Sequence, residues 1–517
     1  MINPIKLDDI YFGERDALHE FLKQDRQKIV VLNNSFVIPP RVKMSELESG
    51  ARYLILGPKG SGKTTLLWYL KRQASNSKSS FILFKSELRK EDRDKLDKMV
   101  DTIIVQDQRK FKVEADYKVV WEWYLIKSLI SLIDDDDLVD GQIILSDIKR
   151  LLGIKTNRLN TIYDNFYINK IKGKVKLAVG LKELKSEISG EIEAKRSSEE
   201  IDLLDLIRLI QNFIGKIRLK KERSIRLYMD ELEFFMSDEG DGERDRRLVR
   251  DLVFSINYIN TTFSKANMDV AVIASLRTEI LNSMSINSQE VGKIIDAFGV
   301  KLNWFYDEVE NHRVLNIFQN KIQQSEVLSN GAYSEDVWSV YFPSHIGKQP
   351  IKSYLLDSGL HRPRGVLLRL MAALETTNED YSFKEENFIK SEEIFGRYLL
   401  EEFSEEISAA YDEGEREDLL MLFRGHSFAF DRDELNQRIG TALMGRKGKK
   451  SHFKDANADN IIKFLYRIGM IGNQFYLNNE QGRDLSRNLW SFRGDIDPIL
   501  DKRFVVHKAI RKVLQTQ

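Results

Sequence analysis

Apolar positions along this chain fall into two kinds of run. Uninterrupted short runs occupy Ile29 to Leu32, Tyr53 to Leu56, Phe81 to Phe84, Ile225 to Met229 and Val270 to Ala274. Runs of that length without a polar break predict strands buried on both faces, the pattern of a parallel sheet covered by helices. The second kind recurs at three- and four-residue spacing. Leu203, Leu206, Ile207, Ile210, Ile214 and Ile217 predict one buried stripe of a helix over Ser197 to Ile217, with Ser197 or Ser198 as its N-cap. Val175 to Ile192 alternates only in part and fits a hairpin or a helix. Val119 to Ile133 predicts an apolar helix whose Trp121 and Trp123 form a core or interface stripe. Glu122 and Lys127 interrupt it, and no other stretch reaches the length needed to span a bilayer. No membrane association is expected, and a cytoplasmic location is.

These elements predict an α/β fold: a parallel sheet core with a helical insertion, followed by a helical lid and a further C-terminal domain. The expected divisions are residues 1–90 for the N-terminal part of the core, 91–220 for a mainly helical insertion and 221–300 for the C-terminal part of the core. Residues 301–376 then form the lid, 377–430 an acidic helical linker and 431–517 the terminal domain. A total of 517 residues with 8 prolines suits several helix-rich domains rather than one sandwich. The absence of cysteine excludes disulfides, thiol nucleophiles and thiolate metal sites.

Three of the strands end in chemistry. The octapeptide Gly57-Pro58-Lys59-Gly60-Ser61-Gly62-Lys63-Thr64 matches G-x-x-x-x-G-K-[ST] at every fixed position, follows a strand, and runs through Thr65 into a helix. Its glycines let backbone N–H groups converge on phosphate oxygens, and the helix N-terminus adds partial positive charge. Lys63 is placed to bridge the β- and γ-phosphates and Thr64 to hold Mg2+. The strand Ile225 to Met229 ends in Asp230 and Glu231, a metal-binding carboxylate followed by one that can polarise an attacking water. The strand from Val270 ends in Ser275, Leu276 and Arg277, with the cation where a γ-phosphate would lie.

Together, Gly57 to Thr65, Ile225 to Glu231 and Val270 to Arg277 resemble the AAA+ and STAND group of P-loop ATPases. Phe12-Gly13-Glu14-Arg15-Asp16-Ala17 is similar to the Gly-Arg-Glu segment that precedes that core and touches adenine, with its arginine and acid shifted. Leu360 to Arg369 resembles the sensor 2 segment, in which an arginine at a helix start reaches the γ-phosphate; Arg364 is the first choice and Arg362 the second. The resemblance implies ATP and Mg2+ as ligands, Glu231 as the activator of water, an arginine supplied by another subunit of a homo-oligomer, and an effector protein as a further partner. Bacterial members with one such core, a large insertion and a winged-helix end look like anti-phage or stress-response ATPases. GTP is disfavoured because Asn320-Lys321-Ile322-Gln323 lacks the acid of a guanine motif. An ABC-like ATPase stays open as the alternative, although Lys59 stands where that class has Asn and no Leu-Ser-Gly-Gly-Gln segment precedes Ile225.

The charge is uneven. The 80 basic and 80 acidic residues cancel, yet residues 380–430 carry 14 acidic against 5 basic and residues 431–517 carry 17 basic against 10 acidic. Helices over Asp433 to Met444 and Asn457 to Arg467, a Gly469 cap, and short runs at Gln474 to Leu477 and Leu489 to Arg493 are in winged-helix order. Between the helices, Arg446, Lys447, Lys449, Lys450 and Lys454 form a cationic loop suited to nucleic-acid phosphates. The acidic stretch just before it is placed to pack against these cations and mask them; the alternative is that the domain serves as a protein-interaction module or an autoinhibitory lid. The seven histidines show no metal-ligand spacing.

Overall fold

The structure, a computed structural model, describes residues 3–22, 25–74, 77–83, 117–154, 174–176, 200–232, 241–278, 281, 289–305, 308–408, 410–444, 457–478, 484–494 and 497–516. The proposed nucleic-acid loop, Arg446, Lys447, Lys449, Lys450 and Lys454, lies outside the described residues, as do Ser197, Ser198 and most of Val175 to Ile192.

The chain begins with two short helices, α1 (Ala17–Leu22) and α2 (Arg26–Asn34). α2 contains Ile29 to Leu32, which the apolar pattern assigns to a strand. Asp25 caps it by accepting from the amides of Gln27 and Lys28, and Val31 and Leu32 are buried while Val30 is 41% exposed. The four-residue run therefore wraps around a helix, and the cap decides what the run itself does not.

β1 (Leu54–Gly57) leads through the glycine loop into α3 (Lys63–Gln73), followed by β2 (Ser77–Leu83). The insertion supplies α4 (Lys118–Leu132) and α5 (Leu203–Ile214). α4 is apolar nearly all round because it is covered on several sides: Trp121 donates to the Leu248 carbonyl, and its aliphatic residues join one core with α5 and the sheet. No described helix is long and apolar enough to cross a membrane. The α5 stripe is buried as expected, but the helix starts at Leu203 because Glu200–Asp202 pairs antiparallel with Lys174–Lys176.

After the insertion come β3 (Ser224–Asp230), α6 (Asp241–Lys265), β4 (Val270–Arg277) and β5 (Gly299–Lys301). The five strands are all parallel, in the order β2-β3-β4-β1-β5. β5, with Gly299 and Lys301 around one apolar residue, carries no run that a sequence could reveal.

Next are α7 (Arg313–Asn330), α8 (Ile351–Ser358) and α9 (Pro363–Leu374). Leu360 and His361 take positive φ (57° and 51°) in the α8–α9 turn, and Pro363 opens α9 at a position where its missing N–H costs nothing. α9 divides its apolar faces: Val366, Leu367, Leu370 and Ala373 enter one core with α7 and the N-terminal Ile5, Leu7, Ile10 and Phe12, while Leu368 and Ala372 enter another with the C-terminal elements.

That second core draws on α10 (Glu392–Ile407), β6 (Ala429–Phe430), α11 (Arg432–Met444), α12 (Ala458–Ile468), β7 (Ile471–Asn478), β9 (Arg503–Val506) and α13 (Lys508–Arg511), and β8 (Asp484–Leu489) extends its sheet. The strands form an antiparallel sheet in the order β6-β9-β7-β8, and Gly469 ends α12 at φ 88°.

Candidate active site

Parallel packing brings three strand ends to one edge. Gly57 lies in register with Arg277, and Asp230 is the next step beyond the Met229–Ala274 pair, beside Ser275. Where the chain turns from β1 into α3, Gly60 and Gly62 take φ of 73° and 86°, the left-handed region that glycine enters without steric cost. Trp304, just past β5, donates its indole N–H to the Ser61 carbonyl at 2.8 Å and pins the outer side of the loop.

Within the loop, Lys63 Nζ donates to the carbonyls of Gly57 (2.9 Å) and Pro58 (3.0 Å). Asp230 is buried; its Oδ1 accepts from the Ser275 hydroxyl, while Oδ2 has no hydrogen-bond partner among the described residues. Glu231 follows at φ 56°, a left-handed conformation costing a non-glycine residue about 1–2 kcal/mol. Such strain is retained where the surrounding structure holds it, commonly at functional sites.

One cavity is lined by Lys63, Thr64, Thr65, Asp230, Glu231, Arg277 and Arg364 at its polar end. At the other end, Phe12, Leu32, Phe36, Pro39, Ile317 and Leu367 supply apolar surface. Phe12, Glu14, Arg15, Asp16 and Ala17 thus border the cavity. Lys321 closes this end from α7: its ammonium donates to the Phe12 carbonyl at 2.9 Å and pairs with Glu20 at 3.2 Å, both side chains buried. Glu20 in turn accepts from the Glu14 amide (2.8 Å) and the Tyr11 phenol (3.3 Å), whose pKa is raised by burial and then by the Glu20 charge.

Of the two lid arginines, Arg364 lines the cavity, and its backbone N–H donates to the Gly60 carbonyl at 3.3 Å. Arg362 turns away. Its guanidinium meets Glu406 at 2.6 Å and reaches the carbonyls of Lys59 (3.4 Å) and Ile468 (3.2 Å). Lys59, a variable position of the loop motif, is buried between Glu402 (3.1 Å) and Glu405 (2.5 Å) of α10, and Arg364 shares Glu402 at 3.5 Å. No spacing in the sequence links Lys59 to carboxylates more than 340 positions away, nor Trp304 to Ser61. Both contacts arise from tertiary packing alone.

The donor set fits a divalent cation. The unpartnered Asp230 Oδ2 and the Thr64 hydroxyl are hard oxygen donors on the same cavity wall, and a buried carboxylate oxygen without a partner is costly unless a cation or water meets it. Among the described residues no cluster of three or more His, Asp or Glu side chains could hold a metal by itself, so phosphate oxygens and water would complete the shell.

The parallel sheet and its glycine loop define a P-loop NTPase core with a helical C-terminal region. Residues 313–404, from α7 into α10, match the family described as the FunZ-associated C-terminal helical domain. No curated protein matches the chain. Among solved structures, it is similar to a point variant of Thermotoga maritima RuvB at 10% identity, covering 98% of this chain and 99% of that one with a TM-score of 0.32. It is also similar to Cdc6p from Pyrobaculum aerophilum at 11% identity, covering 94% and 97% with a TM-score of 0.30. A third, described as the Thermotoga maritima RuvB Holliday junction branch migration motor, is 9% identical over 98% and 99% with a TM-score of 0.28.

Proposed function

We propose that the chain is a Mg2+-dependent ATPase of the AAA+/STAND kind whose nucleotide state sets the position of its C-terminal elements. The observation that carries this reading is the convergence of Lys63, Thr64, Asp230, Glu231, Arg277 and Arg364 on one cavity that ends in an apolar slot. The slot suits a purine ring, and the glycine loop at the start of α3 suits the phosphates.

In this mechanism the loop amides and Lys63 bind the phosphates, Lys63 exchanging two carbonyl contacts for phosphate oxygens. Thr64 and Asp230 would hold Mg2+, which neutralises charge across the β- and γ-phosphates when bound. Glu231 accepts the proton of the attacking water and orients it in line with the γ-phosphorus. Arg277 and Arg364 stand where charge develops on the leaving oxygens. An arginine from a second copy completes the site in an oligomer, a role argued from the resemblance alone, as are bacterial defence or stress response and an effector partner. The C-terminal helices and sheet, in winged-helix order, contact nucleic acid or protein.

Two variants test it. Lys63→Ala should abolish ATP binding in equilibrium dialysis, and intact binding would remove the loop from its role. Glu231→Gln should keep binding and slow hydrolysis by about 10²–10⁴-fold; unchanged turnover would exclude Glu231 as the base. The Lys59–Glu402–Glu405 contact favours a second reading, a nucleotide-gated interaction module with incidental turnover. In that case Glu231→Gln would leave partner capture unchanged.

A further inference from the structure

A second cavity, of about 560 Å3, lies between α8, α9 and α10 on one side and β8 and the β9–α13 segment on the other. Its volume is that of a small-molecule site. Six cations line it: Arg369, Arg487, Arg493, Lys508, Arg511 and Lys512; two carboxylates, Asp357 and Glu392, oppose them. Three of the cations are committed. Arg369 donates to Tyr354 Oη (3.1 Å), Ser391 Oγ (3.0 Å) and the Phe388 carbonyl; Arg493 pairs with Asp357; Arg511 donates to the Val506 carbonyl at 2.9 Å. Arg487, Lys508 and Lys512 have no ion-pair partner among the described residues.

Two of the lining residues, His507 and Asn488, each carry a buried acceptor with no partner among the described residues, His507 Nδ1 and Asn488 Oδ1. His507 is only 6% exposed, and burial pushes its pKa down to about 4, so the ring is neutral near pH 7. Its Nε2 lies 3.4 Å from the Asp357 carbonyl oxygen, which places the ring proton on Nε2 and a lone pair on Nδ1. Tyr354, Phe395, Trp490 and Phe492 supply flat apolar wall, the last two stacked at 5.5 Å and 20°.

We propose that this cavity is an effector site for a nucleotide distinct from the one at the glycine loop. A phosphate meets the uncommitted Arg487, Lys508 and Lys512, base N–H groups satisfy His507 Nδ1 and Asn488 Oδ1, and the base lies against the aromatic wall. A bare anion would leave both acceptors unmet, and an apolar ligand would leave three cations bare. The two cavities share helices: α9 carries Arg364 to the first and Arg369 to the second, and α10 carries Glu405 to the first with Glu392 and Phe395 to the second. A ligand in one therefore bears on the elements that wall the other.

The experiment is equilibrium dialysis of the full chain against AMP, GMP, CMP and UMP, with the loop site filled by a saturating non-hydrolysable ATP analogue. At least one monophosphate should bind at one per chain. The exposed double variant Arg487→Ala/Lys512→Ala should weaken it tenfold or more, and Asn488→Ala should weaken it without changing competition by pyrophosphate. The binding should persist in Lys63→Ala, which separates it from the loop site and from any failure there. No saturable binding of any of the four, binding untouched by the double variant, or binding lost in Lys63→Ala would overturn the proposal. So would pyrophosphate competing as well as the monophosphate.

Discussion

Replacing Arg362 with Ala tests whether one buried charge pair ties the lid, the phosphate loop and the C-terminal core together. Arg362 and Glu406 meet at 2.6 Å with side chains 9% and 2% exposed, and the same guanidinium bonds the carbonyls of Lys59 and Ile468. Forming such a pair repays little more than its desolvation, but removing one partner leaves the other charge uncompensated and costs about 3–5 kcal/mol. For a cooperative unit of ordinary size this is a fall in Tm of roughly 6–20 °C. Calorimetry on Arg362→Ala, Glu406→Ala and the double variant closes a cycle. Each single change should be costly and the double change cheaper than their sum, with a coupling of about 2 kcal/mol. ATP affinity should fall in Arg362→Ala too, because the Lys59 carbonyl loses its donor. Single variants melting within about 2 °C of the parent, with no coupling, would refute the reasoning.

Gly60→Ala should lower ATP affinity at least tenfold in a direct binding assay, since a Cβ there would sit 2.8 Å from Arg364 Cβ on a residue with φ 73°. His312, pushed down to about 4 by burial and then by His361, binds a proton in the unfolded chain near its ordinary 6.5 before it does so in the folded one. Stability from its neutral burial is therefore full above 6.5 and is lost as pH falls from 6.5 towards 4; Tm should drop between pH 7 and pH 5, and less in His312→Gln. Lys447→Ala/Lys449→Ala/Lys450→Ala should weaken duplex DNA binding and reduce the slope of log K against log salt by up to about 3 in a fluorescence titration. An unchanged slope would hand the C-terminal elements to a protein partner.

The strand edge at the glycine loop is legible because its residues sit in continuous segments whose local geometry is fixed by composition. Glycines at residues 57, 60 and 62 and the strand-ending pair Asp230-Glu231 state their conformations within a few positions. What the pattern misses depends on distant partners. Ile29 to Leu32 reads as a strand until Asp25 is seen capping a helix, and β5 has too little apolar sequence to be seen at all. Arg362 and Arg364 stand two residues apart at the start of one helix, and the sequence ranks Arg364 first and Arg362 second only by resemblance. Packing separates them: the helix start turns Arg364 to the cavity and Arg362 to Glu406. The second cavity is invisible because its walls come from segments up to 163 positions apart, Gln349 to Lys512.

The acidic residues before the terminal domain are expected from sequence to cover its cations, yet their described pairs point elsewhere. Glu402, Glu405 and Glu406 meet Arg364, Lys59 and Arg362, the cations on and around the phosphate loop. In the proposed mechanism a γ-phosphate beside Arg364 competes with Glu402 for the same guanidinium and repels the carboxylates of α10. α10 has little freedom to yield alone, because Phe395, Leu399, Phe403 and Ile407 are locked into the C-terminal core, whose interior deforms less readily than it shifts as a body. Nor can α9 absorb the change, since its two apolar faces belong to two different cores. In the proposed mechanism, charge arriving at the loop is passed by α10 to the C-terminal unit as a body, which gives the acidic helix a part in sensing nucleotide.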